Sequence, residues 1–393
     1  MSESKPPPPM RVAAVGFLLL VAVMGMGRFA LTPQLPLMLA EGQVSLASAG
    51  LMASMNYVGY LVGSVWAMRL RRAHARWLRI GLWSAAGATV LSALPGGFAW
   101  EALLRFVAGL GGAWALITAT SWTQERLALH APRLAAVVFA GPGAGIFLTG
   151  VLAFVLARLH AGAALGWLVY GAVALGIAWA CRSTLPRTIA VRAPLDTDID
   201  PWRPSARMNQ LLAAYSLAGF GYILPATFLS QMAHARFPGT VLADLFWPMF
   251  GAAAAIGVLT VSFFGRQASL RLRLVGLLLL QAFGVAAGIV LPGAGGLALS
   301  AILCGGCFLA IMVLAMNMGR AFAPAHVPRM VGLLTTGYAT GQLLGPLASA
   351  ASAHAFGTLT PALALAAAGL VLAAALVWRA GKPAAAQPPQ FPQ

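Results

Sequence analysis

Arg28 lies in the middle of an apolar run of roughly 28 residues, 12–39, inside the stretch Gly25-Met26-Gly27-Arg28-Phe29-Ala30-Leu31-Thr32-Pro33. A guanidinium at such depth in lipid costs about 2.5–3.5 kcal/mol on insertion-based scales and cannot shed its proton, so it needs a carbonyl, a partner, water or a ligand. Two readings are open: an anion-binding or coupling residue in a central cavity, or a cation satisfied by backbone carbonyls freed near Pro33. A second deep cation, Arg105, follows Glu101 by four residues on one helical face, a spacing that favours an ion pair. That pair reads equally as structural neutralisation and as a gate or proton relay.

Polar residues recur in stripes at helical spacing. Asn56, Tyr60 and Gly63 fall at i, i+4 and i+7; Tyr215 and Tyr222 at i and i+7; Thr335, Tyr338 and Gln342 at i, i+3 and i+7. Asn317 stands alone near the end of its apolar run. Any one of these could simply bond to a neighbouring helix, but together they suit the wall of a shared cavity. Trp114, Trp247 and Met316 would add apolar or stacking contacts. The expected substrate-binding set is Arg28, Thr32, Asn56, Tyr60, Trp114, Tyr215, Tyr222, Trp247, Tyr338 and Gln342, with Arg105, Glu101 and Asp244 for coupling or gating.

The acidic residues (Glu3, Glu41, Glu101, Glu125, Asp196, Asp198, Asp200 and Asp244) all fall in tails, loops or near the ends of apolar runs, and no histidine is deep. No cluster of His, Cys and carboxylate suggests a metal, and no midplane carboxylate suggests a sodium or proton carrier. If protons are coupled, Glu101 with Arg105, or Asp244, are the carboxyls placed to help. Both deep charges are positive, which favours an anionic or electron-rich solute. Cys304-x-x-Cys307 sits beside Gly305 and Gly306 and, with Cys181 making an odd number, reads as close helix packing rather than a redox, metal or disulfide site. No Gly-rich phosphate loop appears, so neither ATP nor any other cofactor is expected.

The elements that must position these residues follow from composition. Of 393 residues, 60% are hydrophobic and 8% charged, and apolar runs of about 20 residues recur from Val12 to Val377. A soluble protein is excluded, because runs of about 20 apolar residues match the hydrocarbon core of a bilayer. Twelve spans are expected at 12–39, 46–68, 77–95, 99–121, 134–157, 164–181, 209–232, 241–264, 274–292, 296–318, 330–353 and 360–378. The net charge of +17 would suggest nucleic acid in a soluble chain, but its placement decides otherwise. Twenty-one Lys and Arg residues fall in tails and loops on one side of these spans, against Arg158 and Arg236 on the other. The positive-inside rule makes that side, and both termini, cytoplasmic. Residues 1–11 are a Pro-rich disordered tail, and the first apolar run reads as an uncleaved span.

The polar segment 182–208 divides the spans six and six, giving bundles over 12–181 and 209–378, a cytoplasmic linker and a C-tail over 379–393. The halves share glycines at an offset of 194: Gly25 and Gly27 against Gly219 and Gly221, Gly63 against Gly257, and Gly111-Gly112 against Gly305-Gly306. An even number of spans between matched positions makes the repeats parallel, with a site expected between them near the midplane. Pro33, Pro36, Pro142, Pro225, Pro248 and Pro346 permit kinks in helices that rock.

Several motifs resemble the major facilitator superfamily. Arg105-Phe-Val-Ala-Gly109-Leu-Gly111 is similar to its span-4 pattern, and Gly141-Pro142-Gly143-Ala144-Gly145 to the span-5 core associated with exporters and antiporters, with Val137 where a glycine is usual. After span 2, Gly63 and Arg71-Arg72 match the loop pattern, while Ala67 replaces the usual Asp. More narrowly, the stretch from Gly25 to Pro36, Asn56-Tyr57-Val58-Gly59-Tyr60 and Gly219-Phe220-Gly221-Tyr222 resemble the YbfB/YjiJ branch. The resemblance implies a multi-pass bacterial inner-membrane transporter.

The expectation is therefore an all-α polytopic membrane protein with twelve transmembrane helices in two pseudo-symmetric six-helix bundles. It would be a monomeric secondary transporter, not an enzyme, moving a small organic anion through the lipid bilayer by alternating access, with no nucleic-acid partner. The span-5 motif points to export by proton antiport; a proton-coupled importer or facilitative carrier is the alternative, and a membrane enzyme or assembly factor the remote one.

Overall fold

The computed structural model describes residues 7–69, 75–127, 131–186, 202–264 and 269–381. Twelve helical segments follow one another: α1 (Pro9–Ala40), α2 (Leu46–Arg69), α3 (Ala75–Leu91), α4 (Gly97–Leu127), α5 (Arg133–Arg158), α6 (Ala163–Cys181), α7 (Ala206–Arg236), α8 (Val241–Phe263), α9 (Leu270–Val290), α10 (Gly293–Phe322), α11 (Val327–Phe356) and α12 (Thr360–Ala380). Among the described residues nine of these are long and apolar enough to cross a membrane. The other three are α2 and α11, which carry polar stripes, and α3, which is 17 residues long.

The packing of the first six helices recurs in the last six. α1 meets α5 as α7 meets α11; α2 meets α4 as α8 meets α10; α3 meets both α4 and α6 as α9 meets α10 and α12. Between the two sets, α2 packs on α11 and α5 on α8, again a pair exchanged by the same shift of six, while the second half of α1 lies on α7. One of the glycine matches, Gly63 with Gly257, holds at this level, and another holds in half, for Gly25 with Gly219 but not for Gly27, which faces Ala85 of α3, with Gly221, which faces Leu370 of α12. Gly25 faces α5 at Gly145 and Gly219 faces α11 at Tyr338, while Gly63 faces α4 at Leu110 and Gly257 faces α10 at Gly306. The third does not: Gly111 faces α3 at Gly81 and Ser84, whereas Gly305 faces α8 at Phe250. A shared offset fixes the depth of a glycine in its helix but not the neighbour it admits.

Several expected boundaries move. The chain is already helical from Pro9, inside the expected tail, and α7 begins at Ala206, with the Ser205 hydroxyl accepting from the Met208 N–H at 3.2 Å as its cap. Residues 1–6 and 187–201 lie outside the described set, so the bulk of the expected linker does too. The largest departure is in α1, where a single α-helix was expected. Between α-helical Pro9–Leu20 and Leu31–Ala40 lies a π-helical stretch, Val21–Phe29, with Arg28 at its end. Pro33 explains the break: it has no N–H for the Phe29 carbonyl four residues back, and its ring crowds that carbonyl. Widened turns of this kind recur at functional sites. α5 is interrupted likewise at Phe139 and Ala140, just ahead of Pro142.

The wide segment of α1 is clamped where Gly25 meets Gly145 backbone to backbone. A Cβ at Gly25 would lie 2.5 Å from the Gly145 Cα, whereas a Cβ at Gly87 in α3 would meet nothing within 4 Å. Backbone cannot yield as a flexible side chain can, so overpacking here costs about 1–3 kcal/mol. Gly25→Val is expected to lower the thermal unfolding midpoint of the detergent-purified protein by several degrees, and Gly87→Ala to leave it at or above that of the parent. Equal midpoints for the two variants would count against this clamp.

Candidate functional site

Between the two sets of helices lies a cavity of about 450 Å³. Its blind end is formed by Arg28 and Phe29 of α1, Tyr60 of α2 and Gln342 of α11. Tyr215 and Tyr222 of α7 and Phe308 and Tyr338 line its flank. The cavity runs toward the membrane face at which α1 begins and α12 ends. Its mouth there carries Thr120, Ser121 and Gln124 from the end of α4, Asn317 and Arg320 from the end of α10, and Thr335 of α11.

Arg28 is 7% exposed. Its Nη2 donates to Gln342 Oε1 at 2.8 Å, and the guanidinium carbon stands 4.4 Å from the Tyr60 ring centroid, 4.8 Å from Tyr57 and 5.6 Å from Phe29. The amide of Gln342 in turn donates through Nε2 to the Tyr222 hydroxyl. One hydrogen bond to a charged group is worth about 1.5–3 kcal/mol, and each ring contact about 0.5–2 kcal/mol. Together, at about 3–9 kcal/mol, these cover the roughly 2.5–3.5 kcal/mol insertion cost. The partners are thus a side-chain amide and aromatic faces, not the carbonyls freed near Pro33 that the sequence left open as an alternative. Arg28 Nε remains buried without a hydrogen-bond partner. Among the described lining residues Arg28 and Arg320 carry charge, and none is a carboxylate or a histidine.

Of the expected substrate-binding set, the cavity brings together Arg28, Tyr60, Tyr215, Tyr222, Tyr338 and Gln342. The other four lie outside its lining. Thr32 donates to the Ala226 carbonyl at 2.5 Å, tying α1 to α7 beyond the blind end. Trp247 donates from Nε1 to the Thr149 hydroxyl at 3.1 Å, tying α8 to α5. Asn56 donates to the Arg105 carbonyl at 3.0 Å within the α2–α4 contact. Trp114 packs against Trp77 and Trp66, with centroids 4.8 and 5.9 Å away. Each fell on a plausible helix face, but periodicity cannot say whether that face meets a void or a neighbouring backbone.

The coupling candidates are also remote from the cavity. Arg105 is fully buried with Nε 2.9 Å from Glu101 Oε1; its Nη2 donates to the Ser92 hydroxyl at 2.6 Å, and its guanidinium lies 4.4 Å from the Trp167 ring centroid. This joins α4 to the end of α3 and to α6. Asp244 pairs with His234 Nε2 at 3.1 Å, while His234 Nδ1 is 2.8 Å from the Ser230 carbonyl. That pair belongs to the α7–α8 turn at the face opposite the mouth.

Met316, Asn317 and Thr335, expected near such a cavity but outside the expected site, line it, as do Met24, Phe29, Phe308 and Met312, which lie outside the polar stripes. Phe308 lies three residues after Gly305, and Met312 one helical turn further, a stripe legible at helical spacing.

The family model described as "Uncharacterised MFS-type transporter YbfB" matches residues 20–378. The fold is similar to the crystal structure of a mutant form of the nucleoside transporter NupG, with a TM-score of 0.75 and 13% identity over 95% of this chain and 100% of that one. At that identity the likeness bears on fold alone. No curated protein matches the sequence.

Cys181, Cys304 and Cys307 are free and buried, so an introduced thiol reports on accessibility with little background. Asn317→Cys is expected to react with a membrane-impermeant maleimide from the face carrying the termini, and Thr149→Cys, wholly buried, to stay unlabelled; equal labelling would contradict the cavity as described. Removing one partner of a buried ion pair costs about 3–5 kcal/mol. Glu101→Gln should therefore depress the unfolding midpoint while the surviving folded protein binds ligand normally, and loss of ligand binding at unchanged stability would give the pair a functional role instead.

Proposed function

This chain belongs to the family of MFS-type transporters described by YbfB, a multi-pass membrane transporter and not an enzyme, and on that premise we propose that it carries a small organic anion across the bacterial inner membrane by alternating access. The observation that carries the reading is the environment of Arg28: a permanent cation at the blind end of the cavity, held by a neutral amide and three aromatic rings, with no carboxylate among the described lining residues. A site so built has one unit of positive charge to offer. An anion would displace Gln342 Oε1 from Nη2 and bond the guanidinium in its place, a charge-assisted and potentially bidentate contact.

The same reading assigns the two expected bundles, 12–181 and 209–378, to the moving parts and the segment 182–208 to a cytoplasmic linker, with both termini cytoplasmic. The cavity then opens inward. Its outer side is shut by contacts between the bundles: Thr32 on the Ala226 carbonyl, Trp247 on Thr149, and Gly50 against the Pro346 backbone. In this view Thr32 and Trp247 are latch residues, and the outward-open state requires them to part. Because Arg28 and Gln342 sit on opposite bundles, a ligand that takes over Arg28 also loosens the link between them.

For direction and coupling, the Gly141–Gly145 core favours export by proton antiport. The lack of a carboxylate or histidine among the described cavity-lining residues favours a second reading, a facilitative carrier. Counterflow in proteoliposomes tests both levels. Arg28→Ala should lower counterflow of an anionic substrate by at least about tenfold, the value of one lost charge-assisted bond, with Arg28→Lys retaining part of the rate. Persistence of full exchange in Arg28→Ala would overturn the anion reading, while accumulation driven by an imposed pH gradient separates antiport from facilitation.

A further inference from the structure

The anion reading fixes one end of the ligand and says nothing of its body. The flank of the cavity does. Tyr215 and Tyr338 stack with centroids 4.4 Å apart and planes 20° from parallel; Tyr338 and Tyr222 follow at 5.6 Å and 10°, and Tyr222 and Phe308 at 4.9 Å and 1°. All four rings line the void. This is a continuous aromatic stack drawn from α7, α10 and α11, and it lies beside the cation.

Rings in a stack turn their faces to one another, and Phe308 also stacks on Phe250 at 5.7 Å and 26°, so what Tyr338, Tyr222 and Phe308 present to a ligand is their edges, with the phenolic hydroxyls of the two tyrosines. Ring edges carry the positive part of the aromatic quadrupole and prefer the face of another ring. The guanidinium itself already lies close to the Tyr60 and Tyr57 rings. The apolar remainder is supplied by Phe29 and by Met24, Met312 and Met316, whose thioethers favour aromatic neighbours over aliphatic ones. A saturated ligand of equal size would bury the same area and make none of these ring-specific contacts. The volume of about 450 Å³ falls in the range of small-ligand sites and admits one or two fused rings.

We propose that the transported solute is an aromatic carboxylate, a planar acid of one or two rings whose carboxylate sits on Arg28 and whose ring face meets the edges of Tyr222, Tyr338 and Phe308. The inference rests on the anion reading and narrows it. A carboxylate conjugated to its ring is coplanar with it, so the planar guanidinium fork and the ring edges can be satisfied by one rigid ligand, with little conformational freedom lost on binding.

Titration calorimetry on the full-length protein in lipid nanodiscs, with empty discs as blank, separates the two levels. The probes are benzoate, 2-naphthoate, cyclohexanecarboxylate and benzamide. Benzoate and 2-naphthoate are expected to bind; cyclohexanecarboxylate should bind about three- to tenfold more weakly than benzoate, the worth of an aromatic pair, although it is the more apolar of the two. Benzamide, isosteric but neutral, should be weaker by about tenfold or more. Tyr338→Leu and, independently, Phe308→Leu should bring benzoate and cyclohexanecarboxylate to within about twofold of each other, while Arg28→Ala weakens both. If the two acids bind the unaltered protein equally and benzamide does not, the aromatic inference falls and the anion reading stands. If benzamide matches benzoate, the anion reading falls with it. If no aromatic acid binds, the aromatic inference is overturned, and counterflow in Arg28→Ala decides the anion reading separately.

Discussion

A guanidinium in the middle of a membrane helix cannot be neutralised by losing its proton, and most of this structure's unusual local features answer that constraint. The π-helical turns of α1 set Arg28 at the end of a widened segment; Tyr57 and Tyr60 of α2 supply faces; Gln342 of α11 supplies the carbonyl oxygen; Tyr222 of α7 holds the amide the right way round. Four helices from both halves of the chain meet at one charge. Arg105, the other deep cation, is handled in the opposite manner, with a carboxylate, a hydroxyl and an indole face all inside the first six helices. One cation is internally neutralised and locked away; the other is left with unit charge beside a void.

That contrast organises the two ends of the molecule. On the side of the mouth, α4, α10 and α11 line the void with polar residues such as Gln124, Asn317 and Thr335. On the other side small residues let backbones touch: Gly150 on Pro248 and Gly50 on Pro346 bring α5 to α8 and α2 to α11. Close backbone approach without interdigitating side chains is how helices associate in lipid, where burial of apolar area gives little drive.

Much of this was legible in the sequence. The apolar runs located all twelve helices, most ends to within four residues, because the hydrocarbon thickness sets their length, while α4 runs six residues past its apolar stretch to Leu127. Arg28 was identifiable from depth alone, and Tyr222, Tyr338 and Gln342 from their stripes. What was not legible depends on the neighbour rather than on the helix. Thr32, Asn56, Trp114 and Trp247 have the same credentials as Tyr60, yet meet backbone, hydroxyl or other indoles instead of the cavity. The bond from Arg28 to Gln342 joins residues 314 positions apart, which no local pattern encodes. The π-helical segment was hidden for a different reason: Pro33 marks where the α-helical ladder must break, but a proline equally allows a plain kink, and the close contact of Gly25 with the Gly145 backbone of α5 is not written in α1.

The partner of Arg28 is an amide rather than a carboxylate, and this sets how an electrical potential would act on the transport cycle. With Gln342 in place the empty site carries a net unit charge; with a monoanion bound it carries none. A transmembrane voltage, worth about 2.3 kcal/mol per elementary charge per 100 mV, would thus bear on the return of the vacant carrier and leave the loaded crossing nearly indifferent to it. Had position 342 held Glu, the assignment would be reversed.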